Sequence, residues 1–83
     1  MKTYTITKIR NQGTSVATGT VEELVRYYGY TLECGASYQH EKGNAKINRK
    51  PTTAKSLVSN LNKAVNNSAA NGYAGITFEL TGA

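Results

Sequence analysis

The sequence predicts an α+β fold: a small antiparallel sheet, formed by an N-terminal hairpin and a C-terminal strand, with two helices packed on one face. Three observations carry that expectation. Both ends of the chain, Tyr4-Thr5-Ile6-Thr7-Lys8-Ile9 and Ile76-Thr77-Phe78-Glu79-Leu80, alternate in polarity as half-buried strands do. Two internal stretches repeat apolar residues at helical spacing. A helix with a single apolar stripe needs a sheet face or another helix to cover it, and one sheet face shared by both helices is the economical arrangement.

The first strand leads through Asn11-Gln12-Gly13 into Thr14-Ser15-Val16-Ala17-Thr18, which reads as a β-hairpin. Val21, Leu24, Val25 and Tyr28 then lie at i, i+3, i+4 and i+7, on one helical face. Thr20 and Glu23 match a capping box, so this helix is expected to start there and to stop near Gly29. From Tyr30 to Lys50 the period weakens. Alternation around Ser37-Tyr38-Gln39-His40 and Ala45-Lys46-Ile47 allows a second hairpin turning at Lys42-Gly43-Asn44, and an irregular loop fits equally well. A second helix follows, with Ala54, Leu57, Val58, Leu61, Ala64 and Val65 on one face, Pro51 and Thr52 marking its start, and either Thr52 or Thr53 sufficient as its cap. The turn-favouring tract Asn66 to Gly72 ends it. The run from Tyr73 to Leu80 forms the last strand, with Ile76, Phe78 and Leu80 facing the core.

With 83 residues the chain is read as one domain, 1–83, with no room for a second. No apolar run approaches the roughly 20 residues that span a bilayer, and the start lacks the apolar region of a signal peptide. Cys34 is the only cysteine, which excludes an internal disulfide and a cysteine-cluster zinc site and fits a reducing compartment. The expectation is a soluble, intracellular protein with no membrane partner.

The net charge of +5 is unevenly placed. Lys42, Lys46, Arg49, Lys50, Lys55 and Lys63 follow one another without an intervening acidic residue. Such a cationic block speeds encounter with acidic proteins, nucleotides and nucleic acids alike, and it also simply keeps a small domain soluble.

Three segments carry a resemblance. Gly19-Thr20-Val21-Glu22-Glu23-Leu24-Val25, Tyr30-Thr31-Leu32-Glu33-Cys34-Gly35, and Lys46-Ile47-Asn48-Arg49-Lys50-Pro51 through Val58 resemble a family of small, mostly uncharacterised accessory proteins of tailed bacteriophages. The likeness runs over nearly the whole chain. Val21 stands where the family often has leucine and Lys50 where it often has asparagine, so part of the positive charge is particular to this chain. The resemblance implies a viral accessory protein acting in the host cytoplasm by binding rather than by catalysis. Its targets would be a host enzyme, an anti-phage defence complex, or the nucleotide signal that a defence system uses.

The residues themselves point to one candidate site, the stretch Asn48 to Ser56 at the start of the second helix. A helix N-terminus leaves N–H groups without partners and carries partial positive charge, which suits a phosphate or carboxylate. Asn48, Arg49, Lys50, Thr52, Thr53 and Lys55 crowd that end, with Lys46 just before it. Cations there cost a few tenths of a kcal/mol each, roughly, unless an anion offsets them. Glu33 or Glu41 could be an internal anion in that role, and a capped helix with solvated lysines is the plainer reading. Tyr27, Tyr28, Tyr30 and Tyr38 cannot all face one core, and an exposed one such as Tyr38 could stack on a base or anchor an interface.

No catalytic constellation is apparent. Cys34 and His40 lack a third group to orient a nucleophile pair. The five glutamates show no metal-binding spacing, there is no aspartate, and the eight glycines form no phosphate-loop fingerprint. No catalytic residue, metal or cofactor is expected. The preferred expectation is a non-enzymatic protein that inhibits or sequesters an acidic host or defence protein or a phosphate-bearing nucleotide. The alternative is a basic nucleic-acid-binding protein, against which stands the lack of a strand interleaving aromatic and basic residues. A three-stranded sheet also leaves open edges that a second copy could cover, making a homo-oligomer.

Overall fold

Alternating β-branched and polar residues at the chain start produce the first strand of a computed structural model that describes residues 2–81. In order, the elements are β1 (Tyr4–Arg10), β2 (Gly13–Gly19), α1 (Val21–Tyr27), α2 (Gly29–Ser37), α3 (Ala54–Asn67), a 3-10 turn (Ala69–Asn71) and β3 (Thr77–Thr81). The sheet is antiparallel throughout, with β1 between β2 and β3. Asn11 and Gln12 form the turn of the hairpin, and Gly13 leaves it at a φ of 134°, where a side chain is strained.

Register decides which residues meet. Ile6 lies opposite Ala17 and Leu80, and Lys8 lies opposite Ser15 and Phe78, so these share the helix-covered face. Thr5, Thr7 and Ile9, with Thr14, Val16, Thr18, Thr77, Glu79 and Thr81 opposite them, form the open face. Threonine hydroxyls link the strands there, with Thr5 and Thr18 Oγ1 atoms 2.9 Å apart. The covered face packs Ile6 and Phe78 against Leu24, Tyr28, Leu32, Leu57 and Leu61, all buried. Each such side chain contributes about 1.5–3 kcal/mol relative to exposure. Tyr28 and Phe78 meet edge to face with centroids 5.4 Å apart.

The α+β fold with helices on one sheet face is the one the sequence predicts, with one element more. Thr20 and Glu23 form the expected capping box, and the Thr20 N–H and hydroxyl hold the Glu23 carboxyl below its usual range. After Tyr27 the chain stays helical to Ser37; from there on the irregular loop forms and the second hairpin does not. Tyr28 ends α1 and opens α2, and the bond from Leu32 N–H to Tyr28 C=O carries the helical path onward. Two glycines and a threonine make α2 poor in helix propensity, which is why no period shows from Tyr30. Burial of Thr31, Leu32, Gly35 and Ala36 overrides that weakness. The turn at Lys42-Gly43-Asn44 does form, with Gly43 at a φ of 86°, but no strands flank it.

Two boundaries also shift. Thr53 caps α3, exchanging bonds with Ser56, while Pro51 is buried outside the helix and Thr52 does not cap. The last strand begins at Thr77 rather than Tyr73, because residues 72–75 turn through Gly72 and Gly75, both at positive φ. Ile76, Phe78 and Leu80 nevertheless face the core as expected.

Gly35 is where α2 meets α3. A Cβ there would collide with the Cβ and Cα of Ala64, so the two helices approach to backbone distance. Gly35→Ala should therefore destabilise by about 1–3 kcal/mol, the usual cost of overpacking. That lowers Tm by several degrees for a domain of this size. An unchanged melting curve would mean that the helices separate freely.

Tyr73 offers a second check. Its hydroxyl lies 3.7 Å from Cys34 Sγ, and burial, aided by that contact, pushes the phenol up from its ordinary 10 to about 12. A raised phenol pKa means the fold favours the protonated form. The associated stability is complete below about pH 10 and is lost as pH rises through about 12. Ultraviolet titration of the phenols should show one ionising last, and Tyr73→Phe should remove that step; its persistence would refute the assignment.

Candidate functional site

Residues 38–53 contain no strand or helix, yet their main chain is held in place by amide side chains. Asn67 brackets Ala45, its Oδ1 accepting from Ala45 N–H at 3.0 Å and its Nδ2 donating to Ala45 C=O at 2.8 Å. The same Nδ2 donates to Gly35 C=O at 3.1 Å, tying α2, the segment and α3 together. Gln39 Oε1 accepts from Ile47 N–H at 3.1 Å, and Asn60 Oδ1 accepts from Asn48 N–H at 2.8 Å. Asn48 Oδ1 in turn accepts from Lys50 N–H at 3.0 Å, the local bond that asparagine makes in turns. Ile47 is buried between these bonds as the segment's apolar anchor.

This frame shapes an open cleft of about 690 Å³ between the segment and α3, lined by Gln39, Lys46, Ile47, Asn48, Arg49, Lys50, Asn60 and Lys63. Four of these side chains are cationic, and no carboxylate belongs to the lining. Arg49 has a partner just outside, its Nε lying 3.0 Å from Glu33 Oε1. Both side chains are more than half exposed, so the pair is worth about 0–1 kcal/mol. Among the described residues, Lys46, Lys50 and Lys63 have no carboxylate in ion-pair range. A neighbouring cleft of about 610 Å³ is more apolar, lined by Val21, Val25 and Pro51 with Glu22, Arg26 and Thr52; Lys50 borders both.

The candidate residues are thus divided. Lys46, Asn48, Arg49 and Lys50 line the cationic cleft, whereas Thr52 lines the apolar one. Thr53 is occupied as the cap of α3: its Oγ1 accepts from Ser56 N–H at 3.1 Å, and Ser56 Oγ accepts from Thr53 N–H at 3.2 Å. The helix start therefore satisfies part of its own donor set. Lys55 is exposed on the first turn of α3, and Tyr38 is half-buried where α2 ends; neither lines either cleft. The cations converge on the middle of α3 rather than on its N-terminus. Gln39, Asn60 and Lys63 were not among the candidates. Asn60 could have been found, because it sits on the same side of the helix as Leu57, Leu61 and Ala64, where a buried amide needs partners. Lys63 lies three residues on, within the recognised cationic block.

Comparison with protein-family models, with curated proteins and with solved structures finds no match, so the reading of this site stands on its geometry.

Asn60→Ala tests whether the cleft wall is held as described. It removes the acceptor of Asn48 N–H and the donor to Ser56 C=O, at 2.8 Å each, and should cost about 1–3 kcal/mol. Amide exchange at Asn48 should become fast while exchange in β1 stays slow; an unaffected Asn48 amide would contradict the bond.

Proposed function

We propose that this chain is a non-enzymatic accessory protein, of the phage class its sequence resembles, that inhibits or sequesters an anionic component of the host or its anti-phage defence. One observation carries the reading: four cations line a single cleft without a carboxylate among them. Like charges brought together repel, and an anionic ligand relieves that repulsion. Its phosphate or carboxylate groups would bind Lys46, Lys50 and Lys63 directly, with Arg49 recruited from its weak pair with Glu33. The amides of Gln39, Asn48 and Asn60 hold the cleft wall before the ligand arrives, so little ordering entropy opposes binding. An acidic protein surface and a nucleotide both supply the required charge.

The test is affinity capture from infected or defence-carrying bacterial lysate with the wild type and with a Lys50→Ala/Lys63→Ala variant. Both positions are exposed, so the variant should melt within a few degrees of the wild type, roughly. The wild type should recover one stoichiometric acidic protein or one nucleotide that the variant loses. Heterogeneous nucleic acid, released steeply with salt, would establish nucleic-acid binding instead. Identical eluates from both proteins would remove the cleft from the function.

A further inference from the structure

The two edges of the sheet are treated differently. On β3, Asn62 takes both main-chain groups of Phe78, donating from Nδ2 to its C=O at 3.0 Å and accepting from its N–H at 2.7 Å. At Phe78 an amide thus occupies the place of a further strand. The same pair of bonds gives the phase of the whole ladder, because main-chain groups of successive residues point alternately to either side of an antiparallel strand. Phe78 points away from β1, so Lys8, which lies opposite it, points toward β2. Lys8 lies opposite Ser15, so Ser15 points back to β1, and Thr14, Val16 and Thr18 point outward. Among the described residues, no side-chain or main-chain group outside the sheet bonds the N–H or C=O of these three.

We infer that this outer edge of β2 pairs with β2 of a second copy, antiparallel and about a two-fold axis at Val16. Val16 is the midpoint of Gly13–Gly19, and the strand reads as its own complement. Pairing about that point sets Val16 against Val16 and Thr14 against Thr18 on the open face, with Ser15 against Ala17 on the helix side. β-branched residues opposite one another are favourable cross-strand neighbours. The outward residues Thr14, Val16 and Thr18 would each exchange both main-chain bonds with the partner. The strand also lacks three devices that keep an edge solitary: it has no charge, no proline and no bulge. In a chain of net charge +5, an uncharged strand is the region where two copies approach with least repulsion. Apolar surface accompanies it, since Val16 is 64% exposed and Tyr27, which borders the cleft beside Val16 and Ala17, is 70% exposed. The product is a six-stranded sheet with the threonine face continuous across both copies.

Sedimentation equilibrium of the full chain against Val16→Pro tests the inference. Val16 N–H points outward without an acceptor, so proline breaks no hydrogen bond within the protomer while removing the donor that the partner needs, a substitution edge strands tolerate. The wild type should sediment at twice the 9.0 kDa chain mass, and Val16→Pro should raise the dissociation constant about tenfold or more with an unchanged far-ultraviolet spectrum. Val16→Lys supplies an independent variant at an exposed position, placing like charges opposite each other with the same expected outcome. A wild type that stays monomeric at millimolar concentration, or a dimer indifferent to both substitutions, overturns the proposal.

Discussion

The side-chain amides of α3 are the constraint on which the other parts of the molecule depend. Asn60, Asn62 and Asn67 reach a loop on one side and a strand on the other. An amide carries a donor and an acceptor on one rigid group, so it can satisfy both main-chain groups of a residue as a neighbouring strand does. Asn67 does this for Ala45 and Asn62 for Phe78. All four bonds lie in partly buried surroundings, where an unpaired peptide group costs about 1–3 kcal/mol. The helix is therefore a template as well as a core element.

That template explains how a stretch without regular structure can carry a site. The cations at Lys46, Arg49 and Lys50 sit on main chain that is bonded at Ala45, Ile47, Asn48 and Lys50. Their backbones are fixed by neutral amides rather than by carboxylates, so their positive charge is left largely uncancelled. Among the described residues only Arg49 is in ion-pair range of a carboxylate, and that pair is solvent-exposed and weak. A frame built from ion pairs would have neutralised the cleft that it shaped.

The close approach at Gly35 and Ala64 is the second requirement. It brings Gly35 C=O within reach of Asn67, and so couples α2 to the same amide that holds the loop. Sheet and helices then share one apolar core, while the sheet's two edges diverge in character. The edge beside α3 is occupied at Phe78 by Asn62, and at the far edge, among the described residues, no group outside the sheet bonds the main chain of Thr14, Val16 or Thr18.

Much of this was legible in the sequence, for reasons particular to each element. Alternation in Tyr4–Arg10 and Thr77–Thr81 and the stripe of α3 are signals that burial on one side imposes directly on residue order. The capping box at Thr20 and Glu23 is equally local, and so is the cationic block. The helix at Gly29–Ser37 was not legible, because its residues have weak propensity and are helical only through contact with α3. The cleft was half legible. Lys46, Asn48, Arg49 and Lys50 could be picked out as charge and turn chemistry, but Gln39, Asn60 and Lys63 join them only when residues 38–53 fold back on α3. The amino-acid sequence by itself determined the periodic elements and the sign of the charge, since those follow from neighbours along the chain. Tertiary structure decided which cations share one surface and which sheet edge stays open, because both depend on hydrogen bonds between residues 12 to 32 positions apart.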